Sequence, residues 1–329
     1  MAENDSERPR CVDYMRISIT DRCNLRCFYC MPQGDVQLFR HTEILSYEEI
    51  LSIVAAAVKT GFRKFRITGG EPLVRRGICG FIRNMVDMAG VEEVVLTTNG
   101  VLLADLAPQL YAAGLRRLNI SLDTLHPLKF QKITKRDQFQ RVLQGIEAAR
   151  RVGFNPLKIN MVVIRGINDD ELEDFGRWAI REALTVRFIE YMPIGCRNMW
   201  DAGKFVSIDE IRLRLERVMD LYPLNRRAYD GPAKRYRLGT TQGEIGLIGA
   251  VSHHFCRSCN RLRLTAEGKL RPCLLRDEEI DIKVPLRSGC DEAALMDRIQ
   301  MAVRTKVNHH PTDRIFEQGA QRGMSRIGG

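Results

Sequence analysis

The feature that most constrains this chain is a regular alternation of short β-rich runs and helical-period segments over its first 190 residues. The strand-like runs are "YMRISIT" (14–20), "KFRITG" (64–69), "EVVLTT" (93–98), "RLNISL" (117–122), "LKINMVV" (157–163) and "VRFIEYM" (186–192). Their β-branched and aromatic content suits a pleated, buried surface. Between them lie amphipathic stretches such as "SYEEILSIVAAAVKTG". There Ser46 is an N-cap, Glu49 completes a capping box, and Gly61 stops the helix. "LADLAPQLYAAG", "FQRVLQGIEAARRVG" and "DDELEDFGRWAIRE" read the same way, the first two with glycines (Gly114, Gly153) where a C-cap is expected. Six consecutive βα units require a parallel sheet with helices outside it. Eight would close a full barrel, so six predict an α/β fold with a partial (βα)6 TIM-type barrel. Its chemistry belongs on the loops after the strands, where "DRCNLRC", "GGEP", "TNG", "SLD" and "EYMP" fall.

After about residue 200 the pattern changes to one helical segment, "SIDEIRLRLERVMDL", and then to short β-like pieces through "RYRLGTTQGEIGLIGAVS". The expected organisation is a barrel over residues 1–200 and a smaller C-terminal region over 201–329. No uninterrupted apolar run approaches the length of a membrane span, and "MAENDSERPR" lacks the apolar centre of a signal peptide. The expectation is a cytoplasmic protein that does not engage a membrane. Fifty-one basic residues against 41 acidic ones give a net charge of +10. The basic residues are scattered, with no lysine tract, so nucleic acid is not expected as a partner.

Ten cysteines in such a chain point to metal or redox chemistry more than to disulfides. Six fall in two groups: Cys23, Cys27 and Cys30, then Cys256, Cys259 and Cys273. Each group is one thiolate short of a four-cysteine site. A cubane [4Fe–4S] cluster held by three cysteines keeps one iron open to an outside ligand, and S-adenosylmethionine (SAM) could occupy it through its amino and carboxylate groups. Spacing alone leaves two other readings. Cys27 and Cys30 could join Cys256 and Cys259 around one zinc ion, or the thiols could be free. For the second group, zinc completed by His253 or His254 is the alternative, and a cluster with an iron open to substrate is the other reading. Beside it, Arg261 and Arg263 would point to one side of a strand. Guanidinium groups suit phosphate oxygens, and Arg16 and Arg66 add positive charge from the first two strands. The chain stops at "MSRIGG", a terminus slim enough to thread into a narrow site.

The run C-x3-C-x2-C with Tyr29 before its last cysteine, followed by "GGEP" after the second strand, resembles the radical SAM superfamily. "MRISITDRCNLRCFYCMP", "RITGGEPL", "LTTNG", "NISLDTL", "RFIEYMPIG", "FCRSCNRLRLTAEGKLRPCL" and the final "IGG" are together similar to the molybdenum cofactor biosynthesis protein A family, the GTP 3′,8-cyclases. The resemblance implies a radical SAM barrel and two [4Fe–4S] clusters, with Cys23, Cys27 and Cys30 holding the SAM-cleaving one. Cys256, Cys259 and Cys273 would hold an auxiliary cluster whose open iron binds guanine. It further implies SAM contacts at Tyr29, Gly70, Ser121 and Met192. Arg16, Arg66, Thr97, Lys158 and the Arg261-Leu262-Arg263 stretch would contact GTP, with Lys64 a further phosphate contact. The Gly328-Gly329 tail would reach into the active site, so Arg16, Gly328 and Gly329 are the expected catalytic positions. The implied reaction is hydrogen abstraction at ribose C3′ of GTP and attack on guanine C8, giving 3′,8-cyclo-7,8-dihydro-GTP. An external electron donor, a downstream cyclic pyranopterin monophosphate synthase and a homodimer complete the expectation. A peptide-maturing radical SAM enzyme and a zinc-stapled basic RNA-binding module are the competing functions.

Overall fold

The structure is a computed structural model that describes residues 11–31, 38–194, 200–225, 231–307 and 323–328. Its centre is a parallel sheet of β1 (Tyr14–Ser18), β2 (Lys64–Thr68), β3 (Glu93–Thr98), β4 (Arg117–Ser121), β5 (Leu157–Val163) and β6 (Thr185–Glu190), hydrogen-bonded in sequence order. The strands lie where the β-rich runs predict, within two residues. The intervening helices are α1 (Tyr47–Lys59), α2 (Ile78–Val86), α3 (Leu103–Ala112), α4 (Pro127–Thr134), α5 (Phe139–Val152) and α6 (Leu172–Glu182). On α1 the capping box forms as the sequence dictates. The Glu49 amide donates to Ser46 Oγ at 3.1 Å, and the Ser46 amide donates to Glu49 Oε2 at 2.7 Å. α5 stops at Gly153, whose φ of 100° a side chain would resist.

The C-terminal strands join the same sheet, on both of its edges. After α7 (Ile208–Glu216) come β7 (Leu221–Pro223), β8 (Lys234–Leu238) and β9 (Glu244–Ile248), of which β9 pairs parallel with β6. The chain then crosses to the opposite edge, where β10 (Arg261–Leu264) pairs parallel with β1, followed by antiparallel β11 (Lys269–Arg271) and β12 (Ile280–Asp281). The result is a 12-stranded sheet in the order β12-β11-β10-β1-β2-β3-β4-β5-β6-β9-β8-β7. The change of pattern near residue 200 thus marks the end of the βα units, and the sheet continues beyond it. α8 (Lys283–Arg287) and α9 (Glu292–Arg304) follow, with α9 packed against α1.

Each parallel strand has two unlike faces. Met15, Ile17, Phe65, Ile67, Leu96, Leu118 and Ile120 are fully or almost fully buried against the helices. The alternate positions carry Arg16, Arg66, Thr97, Asn119, Lys158 and Arg187 and face the other way. Helix packing fixes how far the two layers approach. In α5, a Cβ added to Gly145 would lie 2.4 Å from the Gly100 carbonyl oxygen. Helix propensity alone favours Ala by about 1 kcal/mol. We expect Gly145→Ala instead to destabilise the fold by about 1–3 kcal/mol, because backbone must move to admit the methyl group. Urea denaturation measures this, and unchanged or raised stability would contradict the packing argument.

Candidate active site

The site is built on the polar face of the sheet. Register sets Arg263 of β10 beside Arg16 of β1, and Arg16 beside Arg66 of β2, so three arginines stand in a row on adjacent strands. Thr97, Asn119, Lys158 and Arg187 continue this face through β3 to β6. Burial and the Arg263 charge hold the Arg16 guanidinium well below the ordinary arginine range. Burial and Arg261 bring Arg263 down to about 10. Burial would raise the Tyr14 hydroxyl, but the charges of Arg66 and Arg16 outweigh it and the net shift is downward. Among the described residues, Arg66 Nε and Asn160 Oδ1 are buried without a hydrogen-bond partner. Unpaired buried polar atoms in so positive a field suit a polyanionic ligand bearing both donors and acceptors. Lys64 is committed differently. Its ammonium pairs with Glu93, which also takes Arg117.

The first cysteine group lies on the loop after β1, and three neighbours fix that loop. The Gly70 amide donates to Thr20 O at 2.7 Å and the Glu71 amide to Arg22 O at 2.8 Å, so "GGEP" and "TDRC" are stitched backbone to backbone. A Cβ on Gly70 would sit 2.4 Å from Arg22 O, so only glycine allows this approach. The Arg26 amide donates to Thr134 O at 2.8 Å and the Phe28 amide to Ile133 O at 3.1 Å, docking the loop on the end of α4. Asn99 Nδ2 donates to Asn24 Oδ1 at 2.7 Å and reaches Cys23 Sγ at 3.7 Å. Tyr29 donates its hydroxyl to Asp123 Oδ2 at 2.5 Å, and Asp123 Oδ1 accepts the Val162 amide at 2.9 Å. Burial lifts Asp123 to about 6.

Burial and the Glu71 charge push the Cys23 thiol up to about 11, while burial, Cys30, Asp123 and Cys23 push Cys27 well above its ordinary value. Cys23 and Cys27, partly buried and close to other acidic groups, thus resist ionisation until a cation joins them. Three cysteines spaced C-x3-C-x2-C on one loop are, in donor chemistry, a set that suits an iron–sulfur cluster.

The second group lies on the other side of the arginine row, toward the strands' N-terminal ends. Cys256 and Cys259 precede β10, whose first residue Arg261 is level with Tyr14 at the start of β1; Cys23 comes after the end of β1. Five strand residues separate those levels, a span on the order of 15 Å. A single zinc ion would require all its sulfurs within about 2.3 Å. The reading that joins Cys27 and Cys30 to Cys256 and Cys259 around one zinc is therefore wrong. Cys273 follows β11, and its neighbour Pro272 shares the Lys306 ammonium group with Cys259. Burial would raise the Cys259 thiol, but Arg261 and Lys306 prevail and bring it to about 7.

Seven of the sequence-derived positions fall on one face of the sheet. Arg16, Arg66, Thr97, Ser121, Lys158, Arg261 and Arg263 share the polar face. Leu262 is level with Met15 and fully buried in the apolar core, so its side chain points away and only its backbone can serve a ligand. Gly328 enters the site from the C-terminus. Its carbonyl accepts a hydrogen bond from Arg263 Nη1, and a Cβ there would meet Thr68 and Ser18 at 3.0 and 3.1 Å. Met192 packs with Ile194 and with Ile327, the residue before Gly328. Gly329 and Cys196 lie outside the described residues. Sequence reasoning missed Glu71, Asn99, Asp123, Arg187 and Lys306. The first three sit inside motifs already noticed ("GGEP", "TNG", "SLD"), and strand alternation from Thr185 points Arg187 inward. Nothing local marks Lys306.

Comparison with known proteins bears on this geometry. Residues 17–179 match the Radical SAM superfamily, and residues 184–312 match Molybdenum Cofactor Synthesis C. The GTP 3′,8-cyclase of Thermodesulfovibrio yellowstonii is 47% identical over 322 residues, covering 97% of this chain and 98% of that protein. The GTP 3′,8-cyclase of Moorella thermoacetica is 48% identical over 320 residues, with coverage of 97% and 98%. The chain belongs to the GTP 3′,8-cyclase family. Among solved structures, Streptococcus suis SuiB bound to S-adenosylmethionine aligns with TM-score 0.57 at 15% identity, covering 82% of this chain and 63% of SuiB. The same protein bound to precursor peptide SuiA gives TM-score 0.59 at 13% identity, covering 82% and 62%. These likenesses establish the radical SAM barrel architecture. Membership of the superfamily brings SAM and an iron–sulfur cluster with it. Among the described residues, no helix is long and apolar enough to cross a membrane.

In this cyclase-family chain, Glu71 ties the cysteine loop to β3. Its carboxylate accepts the Leu73 amide at 3.0 Å, Thr98 Oγ1 at 2.7 Å and the Asn99 amide at 2.7 Å. Burial nonetheless raises it from 4.5 to about 7. Between those pH values the folded chain holds a proton that the unfolded chain has released, so this group's contribution to stability falls as pH rises. The predicted loss is on the order of 3 kcal/mol. Glu71→Gln cannot ionise and should flatten that part of the profile. It should also lower stability by about 1–3 kcal/mol, because its amide group would face the Asn99 or Thr98 donor. Denaturation of both proteins from pH 5 to 8 tests this, and parallel profiles would contradict it.

Proposed function

We infer that this chain is a radical SAM GTP 3′,8-cyclase. It converts GTP to 3′,8-cyclo-7,8-dihydro-GTP, the first step of molybdenum cofactor biosynthesis. The observation that carries the reading is the row Arg263-Arg16-Arg66, set between two three-cysteine groups at opposite ends of one polar sheet face. A triphosphate neutralises adjacent guanidinium groups that otherwise repel one another, and an aromatic base at one end leaves the ribose in the middle.

Cys23, Cys27 and Cys30 would hold the cluster that takes SAM, with Tyr29, Gly70, Ser121 and Met192 lining the cofactor. When bound, that cluster supplies the electron that cleaves SAM reductively. Cys256, Cys259 and Cys273 would hold a second [4Fe–4S] cluster toward the guanine. Arg16, Arg66, Thr97, Lys158, Arg261 and Arg263 would hold GTP, with Leu262 contributing through its backbone. Lys64 would join them once Glu93 is satisfied by Arg117. The chain's own contribution is positional. It brings ribose C3′ to the SAM side, keeps guanine C8 within reach, and excludes water and other hydrogen donors while a carbon radical exists. Gly328 lies beside Arg263, against Ser18 and Thr68 at the ends of β1 and β2, and the Gly328-Gly329 tail would support turnover there. Turnover would draw electrons from an external reductant and pass the product to a cyclic pyranopterin monophosphate synthase. A cytoplasmic homodimer suits such an enzyme.

The test is an anaerobic incubation of reconstituted protein with SAM, GTP and dithionite. It should yield 5′-deoxyadenosine and a cyclised nucleotide in equal amounts, from protein carrying about eight irons per chain. Cys256→Ala should bring iron to about four and abolish cyclisation. SAM cleavage coupled to a peptide, with GTP untouched, would overturn the reading.

A further inference from the structure

Lys306 stands two residues beyond α9, outside every motif that marks the site, yet its ammonium group reaches into the second cysteine group. It donates to Arg261 O at 2.6 Å and to Pro272 O at 2.7 Å, and lies 3.7 Å from Cys259 Sγ. An ammonium group has three N–H donors, and here each has a receiver at the same place. One carbonyl lies on the segment from Cys259 into β10; the other belongs to the residue just before Cys273. The two carbonyls are 11 positions apart in sequence and approach the site from different strands. Cys256 is tied in through the Cys259 amide, which donates to Cys256 O at 3.2 Å. One cation therefore joins the peptides that carry all three cysteines.

Two carbonyl contacts alone would make Lys306 a structural staple. The third contact, to sulfur, adds something a staple does not need. A positive donor on a ligand sulfur stabilises the more negative, reduced state of whatever the thiolates hold, and so raises its potential. The flexible lysine stem allows a point charge to be placed where the planar guanidinium of arginine would not fit three receivers at once.

We propose that Lys306 is a positioning residue for the second cluster, pinning the Cys259 and Cys273 segments together and raising the cluster's reduction potential through its contact with Cys259. The proposal rests on the reading that Cys256, Cys259 and Cys273 hold a cluster at all, and the experiment separates the two.

Full-length wild type, Lys306→Met and Lys306→Gln are reconstituted anaerobically. Iron per chain is counted, and each cluster is titrated by EPR against potential. In wild type, about eight irons and two titrating signals are expected; about four irons and one signal would overturn the second cluster and this proposal together. Lys306→Met should either lose the second cluster, leaving about four irons, or keep it at a lower potential, with the first cluster's signal unmoved. Lys306→Gln retains a neutral donor for the carbonyls, so it should keep the second cluster, with its potential shifted down. Wild-type occupancy and wild-type potential of the second cluster in both variants would overturn the role of Lys306 and leave the second cluster standing.

Discussion

Arg263, Arg16 and Arg66 stand on three neighbouring strands at the same level, with strand spacing of about 4.8 Å. Like charges set side by side on a sheet are destabilising, the more so when water is excluded. A fold that keeps them there is stable despite them and prepared for a polyanion. Three other features follow from that placement. The strands must be parallel and in register, or the arginines would face the helices. The helix-facing positions must be wholly apolar, as Met15, Ile17, Phe65 and Ile67 are, because they carry the burial that holds the charges in place. And the sheet must extend past β1 to β10, because the third arginine comes from a strand some 250 residues further along the chain.

That last requirement explains how two cysteine groups distant in sequence come to flank one sheet face. β10 lies parallel to β1. The loop before β10 therefore opens at the end of the lumen opposite to the loop after β1. Both groups face the same arginines without touching each other. A nucleotide that crosses the row along the strand direction has one end toward each group, which is the physical content of a reaction that begins at the ribose and ends on the base.

Much of this was legible in the sequence. The six central strands appear as β-rich runs at regular intervals, and the capping box of Ser46 and Glu49 and the stop at Gly153 are local signals that the structure reproduces. Residue types alone also pointed to Arg16, Arg66 and Arg263, since alternation places them on the polar face. Other features depend on contacts that no local pattern encodes. The strands β7, β10, β11 and β12, two to four residues long, are too short for periodicity to show, and the partners of β7 to β12 are set by long-range pairing. "HPLKFQKIT" carries no strong helical period, yet it forms α4, whose end supplies the carbonyls that dock the cysteine loop. Leu262 was grouped with its arginine neighbours, and strand alternation turns its side chain into the core instead. Lys306 looks like one basic residue among 51 and gains meaning only from the two carbonyls and the sulfur around it.

The central claim is that two iron clusters flank one arginine-lined nucleotide site. Anomalous diffraction at the iron edge, from crystals grown anaerobically with GTP, tests it most directly. The account predicts two compact iron peaks per chain, at Cys23-Cys27-Cys30 and at Cys256-Cys259-Cys273, on the order of 15 Å apart, with triphosphate density against Arg16, Arg66 and Arg263 between them. A single iron site, or nucleotide density away from that row, would contradict it.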